Sequence, residues 1–175
     1  NHRWEYDKNP ELFFNILFEL NDKNIDFRLV VLGERYDNYP KIFDIAQKKL
    51  KNKLIHTDYC SSYDEYCQWL SKSDILPVTS IQDFFGISII EAVSSGVFPI
   101  LPNRLSYPEL FEDVEFNAKL FYQSDKELKN KITETLNNLS QIQNEKLYLQ
   151  KYVKNKYDWS IIAPTYDTAF QKLFS

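Results

Sequence analysis

Two carboxylates, Asp83 and Glu91, stand eight positions apart in the run Asp83-Phe84-Phe85-Gly86-Ile87-Ser88-Ile89-Ile90-Glu91, with a Phe-Gly turn between them. Glu91 leads at once into Ala92-Val93-Ser94-Ser95-Gly96 and then into the apolar stretch 97–101. A buried helix that ends at a glycine and runs into a buried strand has little structural use for a carboxylate between Ile90 and Ala92. The pattern suits a helix whose N-terminus faces an anion, since the first backbone N–H groups and the helix dipole both favour negative charge there. Phe85, Gly86 and Ile87 would supply those N–H groups, and Gly86 would allow the close approach that a side chain blocks. A carboxylate one turn further in can accept bonds from both vicinal hydroxyls of a ribose. The competing account is a structural helix start with Asp83 as an ordinary cap.

Arg3 and Lys8 put two cations five positions apart near the start of the chain, with Glu5 and Asp7 between them. A diphosphate is well served by such a pair, the guanidinium as a planar fork and the ammonium as a mobile point charge. A plain charged loop, with the two acids as local partners, would read the same way. Gly33 closes an apolar run, and the loop Asp58-Tyr59-Cys60-Ser61 follows a second short one, so both offer backbone to a ligand at the ends of strands. Cys60 and Cys67 lack metal-ligand spacing, and His2 and His56 stand alone, so no metal site is expected. Two cysteines in a chain of this size also fit a reduced, cytoplasmic (or nuclear) setting.

The elements that must hold these residues read as alternating helices and strands. Asn9 is placed to cap a helix with Pro10 at its first position, and Phe13, Ile16, Leu17 and Leu20 recur at helical spacing. Residues 27–32 form an apolar strand, 40–50 a helix with Ile42, Phe43, Ala46 and Leu50 inward, and 54–57 a short strand. Ser62 with Glu65 makes a capping box, as does Ser124 with Glu127. Tyr66, Cys67 and Leu70 share one face of the helix that follows the first box, and Leu128, Ile132, Leu136 and Leu139 one face of the helix that follows the second. Further strands are expected at 74–79, 97–101 and 118–122, although Pro77 removes a ladder donor from the first of these. Helices close the chain at 146–156 and 161–174, with Pro164 in the first turn of the last. Such alternation means an α/β fold: a Rossmann-like parallel sheet with helices on both faces, its ligands beyond the carboxyl ends of the strands. The loops after Gly33, Thr57, Thr79 and Leu101 all open on that edge.

At 175 residues, residues 1–175 make one domain with one core. A net charge of −4 argues against strong non-specific attraction to nucleic acid, and Lys41, Lys48, Lys49, Lys51 and Lys53 form a local basic cluster that reads most simply as a solvated face. No apolar run approaches the length of a membrane span. The chain contains no methionine, and it opens on Asn1-His2-Arg3-Trp4, which reads as the end of a strand. We therefore expect a segment of a longer protein whose other, N-terminal domain supplies part of the site.

The acidic pair, its Phe-Gly turn and the Arg3/Lys8 pair together resemble the retaining nucleotide-sugar glycosyltransferases of family 4, and the likeness to the C-terminal, donor-binding half of their two-domain GT-B fold covers almost the whole chain. The resemblance implies that Glu91 binds the donor ribose, Asp83 (where the family usually has Glu) sits beside the donor sugar, and Phe85, Gly86 and Ile87 offer N–H groups to sugar and pyrophosphate. It implies that Arg3 and Lys8 bind the diphosphate, with Asp83, Arg3 and Lys8 as the catalytic set. It also places Gly33 and Tyr59 among the donor-binding residues, the latter in a loop whose usual glycine is Asp58 here. Within the family, Asn103-Arg104-Leu105-Ser106-Tyr107-Pro108-Glu109-Leu110, the Phe-Phe-Gly-Ile-Ser form of the signature and the opening Asn-His-Arg-Trp-Glu are similar to the tRNA-queuosine mannosyltransferases. That implies GDP-mannose as donor, the queuosine base of a tRNA as acceptor, no metal or other cofactor, and front-face attack assisted by the leaving phosphate. Two alternatives stay open on sequence: a family 4 enzyme with another donor and a sugar or lipid acceptor, and a regulatory module that binds nucleotide without transfer.

Overall fold

The structure, a computed structural model, describes residues 3–35 and 37–174. Of the strand expected to end at residues 1–4, Asn1 and His2 lie outside the described residues, while Arg3 and Trp4 are irregular. Trp4 is nonetheless a core residue, 2% exposed and stacked on Phe43 with ring centroids 4.2 Å apart. A 3₁₀ turn, Tyr6–Lys8, then leads to α1 (Pro10–Asp22), where the Asn9 side chain accepts from the Leu12 N–H and Pro10 takes the first position. The most deeply buried members of its apolar face are Phe14, Ile16, Leu17 and Leu20, and Phe13 is only partly covered.

Among the described residues, five parallel strands follow in two sheets. β1 (Leu29–Leu32) pairs with β2 (Leu54–Asp58), and β3 (Ile75–Pro77), β4 (Phe98–Pro102) and β5 (Phe121–Tyr122) pair in that order. The one continuous sheet expected from the sequence is thus divided between β1 and β3. Every residue of β4 is buried, which requires both of its faces to be covered. Helices α4 (Ile87–Ser94), α7 (Asp125–Asn137) and α8 (Gln143–Tyr157) all pack on it.

The chain departs from the sequence reading at residues 118–120 and at the start of the last helix, while Pro77 keeps its expected place in a strand. Residues 118–120 are not strand: α6 (Asn117–Leu120) is a helical turn held by the Lys119 N–H to the Phe116 carbonyl at 2.9 Å, and the strand shrinks to Phe121–Tyr122. Pro77 does belong to β3, because it ends that strand on the side away from β4, whose bond comes from the Val78 N–H to Ile100 O at 2.9 Å. The last helix, α9 (Trp159–Leu173), begins before Pro164, capped by Asp158 accepting from the Ser160 N–H at 2.8 Å.

The remaining helices are α2 (Ile42–Lys49), α3 (Tyr63–Ser71) and α5 (Tyr107–Leu110). Both capping boxes form with a variation. Ser62 accepts from Glu65 N–H and Ser124 from Glu127 N–H, but each glutamate reaches one residue further back, to the N–H of Ser61 and Gln123 at 2.8 Å. No helix among the described residues is long and apolar enough to cross a membrane.

Candidate functional site

The carboxyl ends of β1 and β2 and the N-terminal half of α4 enclose a cleft of about 540 Å³. Arg3, Gly33, Tyr59 and Glu91 all line it, so four of the residues singled out by type and spacing meet at one place. Ser61, Ser62, Tyr63, Tyr66 and Ser88 complete much of the wall. Glu91 stands one turn into α4 and is partly buried. Its Oε2 accepts from the Tyr66 hydroxyl at 2.8 Å, a bond between α3 and α4 that sets the carboxylate's orientation. Tyr66 reads as a packing residue in the sequence; 25 positions from Glu91, nothing local links the two. Tyr63 stands beside it, ring centroids 5.8 Å apart.

The start of α4 has no side-chain cap. Gly86 occupies the cap position at φ +92°, and the N–H groups of Ile89 and Ile90 turn back to its carbonyl. The space a Cβ would fill at Gly86 is taken by Ile89, Leu110 and Tyr107 at 3.2 to 3.4 Å. The glycine therefore serves backbone conformation and internal packing, and the close approach it permits is to the protein's own side chains. Phe85 and Ile87, 45% and 62% exposed, stand out on either side, with Phe84 more exposed still. Phe85 packs edge-on against Tyr157, and its carbonyl accepts from Ser106 Oγ at 3.3 Å.

Lys8 and Asp83 do not line the cleft that holds Glu91; they form a neighbouring group. The Lys8 ammonium donates to the Gln82 carbonyl at 2.9 Å and lies 3.2 Å from Asp7 and 3.9 Å from Asp83. Its side chain is 12% exposed. The same Asp83 oxygen, Oδ2, accepts from the Tyr107 hydroxyl at 3.1 Å. Tyr107 is wholly buried, and burial, with the Asp83 charge beside it, pushes its phenol well above the usual tyrosine range. Arg104 turns its guanidinium inward onto the Ser80 carbonyl at 2.9 Å. The Asn103–Leu110 segment thus braces the loop carrying Asp83 through Arg104 and Tyr107. Arg3, by contrast, is largely exposed and lies 3.4 Å from Glu5. The two cations of the opening motif consequently address different ends of the site, Arg3 the cleft and Lys8 the Asp83 side.

Although no metal pattern is visible in the spacing, His56, Cys60 and Glu65 come together with donor atoms within 4.8 Å of one another. Each already has a structural task or setting. Glu65 Oε2 accepts from the N–H and hydroxyl of Ser61, His56 stacks on Trp69 at 4.9 Å, and burial pushes the Cys60 thiol up. In the basic cluster, Lys49 sits 4.7 Å over the Phe18 ring and Lys53 donates to Ile25 O at 3.2 Å, while Lys41, Lys48 and Lys51 are exposed.

Comparison with known proteins supplies the context. The family model described as Glycosyl transferases group 1 matches residues 2–156. The chain is 39% identical over 110 residues to the tRNA-queuosine alpha-mannosyltransferase of Drosophila melanogaster, an alignment covering 63% of this chain and 29% of that protein. In fold it is similar to Anabaena HepE in complex with UDP, with a TM-score of 0.79 at 17% identity, over 98% of this chain and 48% of the other. It is similar also to the C-terminal domain of LpcC from Francisella tularensis, with a TM-score of 0.73 at 18% identity, over 90% and 83%. The chain therefore spans under a third of the curated relative it matches and about half of HepE.

Proposed function

Because this chain belongs to the group 1 glycosyl transferases, we propose that it is the donor-binding half of a two-domain retaining glycosyltransferase, and that the complete protein transfers mannose from GDP-mannose to the queuosine base of a tRNA. The observation that carries the donor site is the position of Glu91: a partly buried carboxylate, oriented by Tyr66, facing a cleft that Arg3 shares. One carboxylate oxygen is engaged by Tyr66, and the group retains lone pairs for a ribose diol. The diphosphate lies between Arg3 and the uncapped start of α4, where N–H groups and the dipole stabilise its charge. The sugar then reaches toward Asp83 and Lys8. In the transfer, the bond from the mannosyl anomeric carbon to the diphosphate breaks, a bond to an acceptor hydroxyl forms, and the hydroxyl proton passes to the leaving diphosphate. No metal or further cofactor is used in this reading. The choice of mannose and of tRNA is supported by the 39% identity to the Drosophila protein and by the Asn103–Leu110 segment.

The decisive experiment incubates the complete protein with GDP-mannose and tRNA with or without queuosine. Mannose incorporated only into queuosine-containing tRNA is the expected result. Transfer from another nucleotide sugar, or to a sugar or lipid, would keep the enzyme class and overturn the substrates. Tight GDP binding with no transfer to any acceptor would make the protein a regulatory module. The 175-residue chain alone should bind GDP and transfer nothing, since one wall of an interdomain cleft cannot hold the acceptor.

A further inference from the structure

We infer that His56, Cys60 and Glu65 form a zinc-binding site beside the cleft, apart from the place where the sugar is transferred. The three bring an imidazole nitrogen, a sulfur and a carboxylate oxygen within 4.8 Å of one another. The fold assembles them, since His56 lies on β2, Cys60 in the loop that follows and Glu65 in the first turn of α3. The observation that points to a ligand is His56 Nε2, which is buried and has no hydrogen-bond partner. An unpaired buried nitrogen is costly. A cation coordinated there would remove that cost, and the two other donors of the cluster converge on the same spot.

The donor set selects the ion. Thiolate sulfur, imidazole nitrogen and a single carboxylate suit zinc, whereas magnesium and calcium take oxygen donors. Tetrahedral zinc, with bonds of about 2.0–2.3 Å, holds its donors about 3.3–3.6 Å apart, so the cluster must close by about 1 Å, within reach of the χ torsions of Cys60 and Glu65. The surroundings already orient the donors. The His56 ring stacks on Trp69 with centroids 4.9 Å apart. Glu65 Oε2 accepts from the Ser61 N–H at 2.8 Å and the Ser61 hydroxyl at 2.7 Å, outer bonds of the kind that aim a ligating carboxylate and leave it lone pairs for the ion. Cys60 is 8% exposed. On binding, its thiol proton leaves to solvent and the sulfur coordinates as thiolate. Three protein ligands leave the fourth position to water. The ion would tie β2, the loop after it and α3 together. Tyr59, Cys60 and Ser61 of that loop line the same cleft as Glu91, so zinc would stiffen one wall of it.

Metal titration of the complete protein, stripped of metal and kept reduced, tests this. Calorimetry should find a zinc site whose Kd rises roughly 100-fold or more in Cys60→Ser and in His56→Gln, since loss of a ligand costs at least what loss of an outer-shell partner does. Cobalt used as a probe should give a thiolate-to-cobalt charge-transfer band in the near ultraviolet that Cys60→Ser lacks. Zinc should also raise the melting temperature of wild type and leave that of Cys60→Ser unchanged. Should either of those variants fail to fold by circular dichroism, Glu65→Gln decides. It keeps an acceptor for Ser61 while removing the charge, and should weaken zinc about tenfold or more. No uptake of zinc by wild type, equal uptake by wild type and the folded variants, or a cobalt complex without the thiolate band would each overturn the inference. GDP binding to the stripped protein reads the donor site separately, so either reading can fail while the other stands.

Discussion

The Tyr66 hydroxyl on α3 donates to Glu91 Oε2 on α4 at 2.8 Å, and the bond ties the helix after β2 to the helix that ends the signature. It gives the carboxylate one fixed direction into the cleft, so that ligand binding need not freeze its rotamer. Tyr66→Phe is expected to weaken GDP binding by about 1 kcal/mol, the scale of a single hydrogen bond. Calorimetry that finds unchanged affinity beside a lowered melting temperature would make Tyr66 a strut and nothing more.

Glu91→Ala removes the acceptor itself. The expected loss in nucleotide affinity is about 1.5–3 kcal/mol, since the bonds are to a charged group, or roughly tenfold to 150-fold in Kd. Guanosine and GDP should lose equally if the proposed contact to the ribose holds.

Arg3→Ala should behave in the opposite way, weakening GDP while leaving guanosine nearly unchanged. An exposed guanidinium acting on phosphate is also screened by salt, so the difference between wild type and variant should shrink from low to high ionic strength. Equal losses for nucleoside and diphosphate would remove Arg3 from the phosphate site.

Gly86→Ala tests the local backbone. An L side chain at φ +92° is strained, and its Cβ would press on Ile89, Leu110 and Tyr107 at 3.2 to 3.4 Å. We expect about 1–3 kcal/mol of destabilisation, read as a lower melting temperature with GDP affinity falling only as the folded fraction falls.

These residues differ in how far the sequence discloses them. Glu91 and Gly86 are visible because each contradicts its surroundings, a charge in an apolar helix and a glycine before one. The capped starts of α1, α3 and α7 are equally plain, since a cap acts within four residues. Tyr66 and Tyr107 are not, because their partners lie 25 and 24 residues away and neither tyrosine differs in type from core neighbours. The false strand at 118–120 has a related cause: apolar residues at Leu120 and Tyr122 alternate as a strand would, but the backbone bonds that decide the matter depend on Phe116. The division of the sheet is beyond any local pattern, because it concerns which strands become neighbours.

Alkaline stability should report the buried phenols. The Tyr122 hydroxyl donates to Val78 O at 2.8 Å, and burial pushes its pKa up to about 12. The folded value lies above the ordinary value of about 10, so folding favours the protonated form. The resulting stability is full below pH 10 and is lost as pH rises from about 10 to about 12. Phenolate absorbance should therefore rise in two stages, exposed tyrosines first, with Tyr122 and Tyr107 ionising only as circular dichroism is lost. A single smooth titration with the fold intact would show both phenols to be open to solvent.

Asp83 offers the sharpest separation between sugar and nucleotide. It lies outside the cleft that Glu91 lines, beside Lys8 at 3.9 Å and under the Tyr107 hydroxyl at 3.1 Å. In the proposed pose it meets the transferred sugar and leaves the GDP moiety untouched. Asp83→Asn keeps the size of the side chain and an acceptor for Tyr107 but removes the charge that faces Lys8. In the complete protein it should lower kcat by about 10-fold to 1000-fold, the span seen when one stabilising group of a reacting centre is lost, with the Kd for GDP changed less than threefold. Lys8→Gln should share the fall in kcat, and any loss of GDP affinity that comes with it would measure the diphosphate contact that the family resemblance implies for Lys8. If Asp83→Asn weakens GDP as much as it slows transfer, the carboxylate is part of the nucleotide site and the sugar must lie elsewhere.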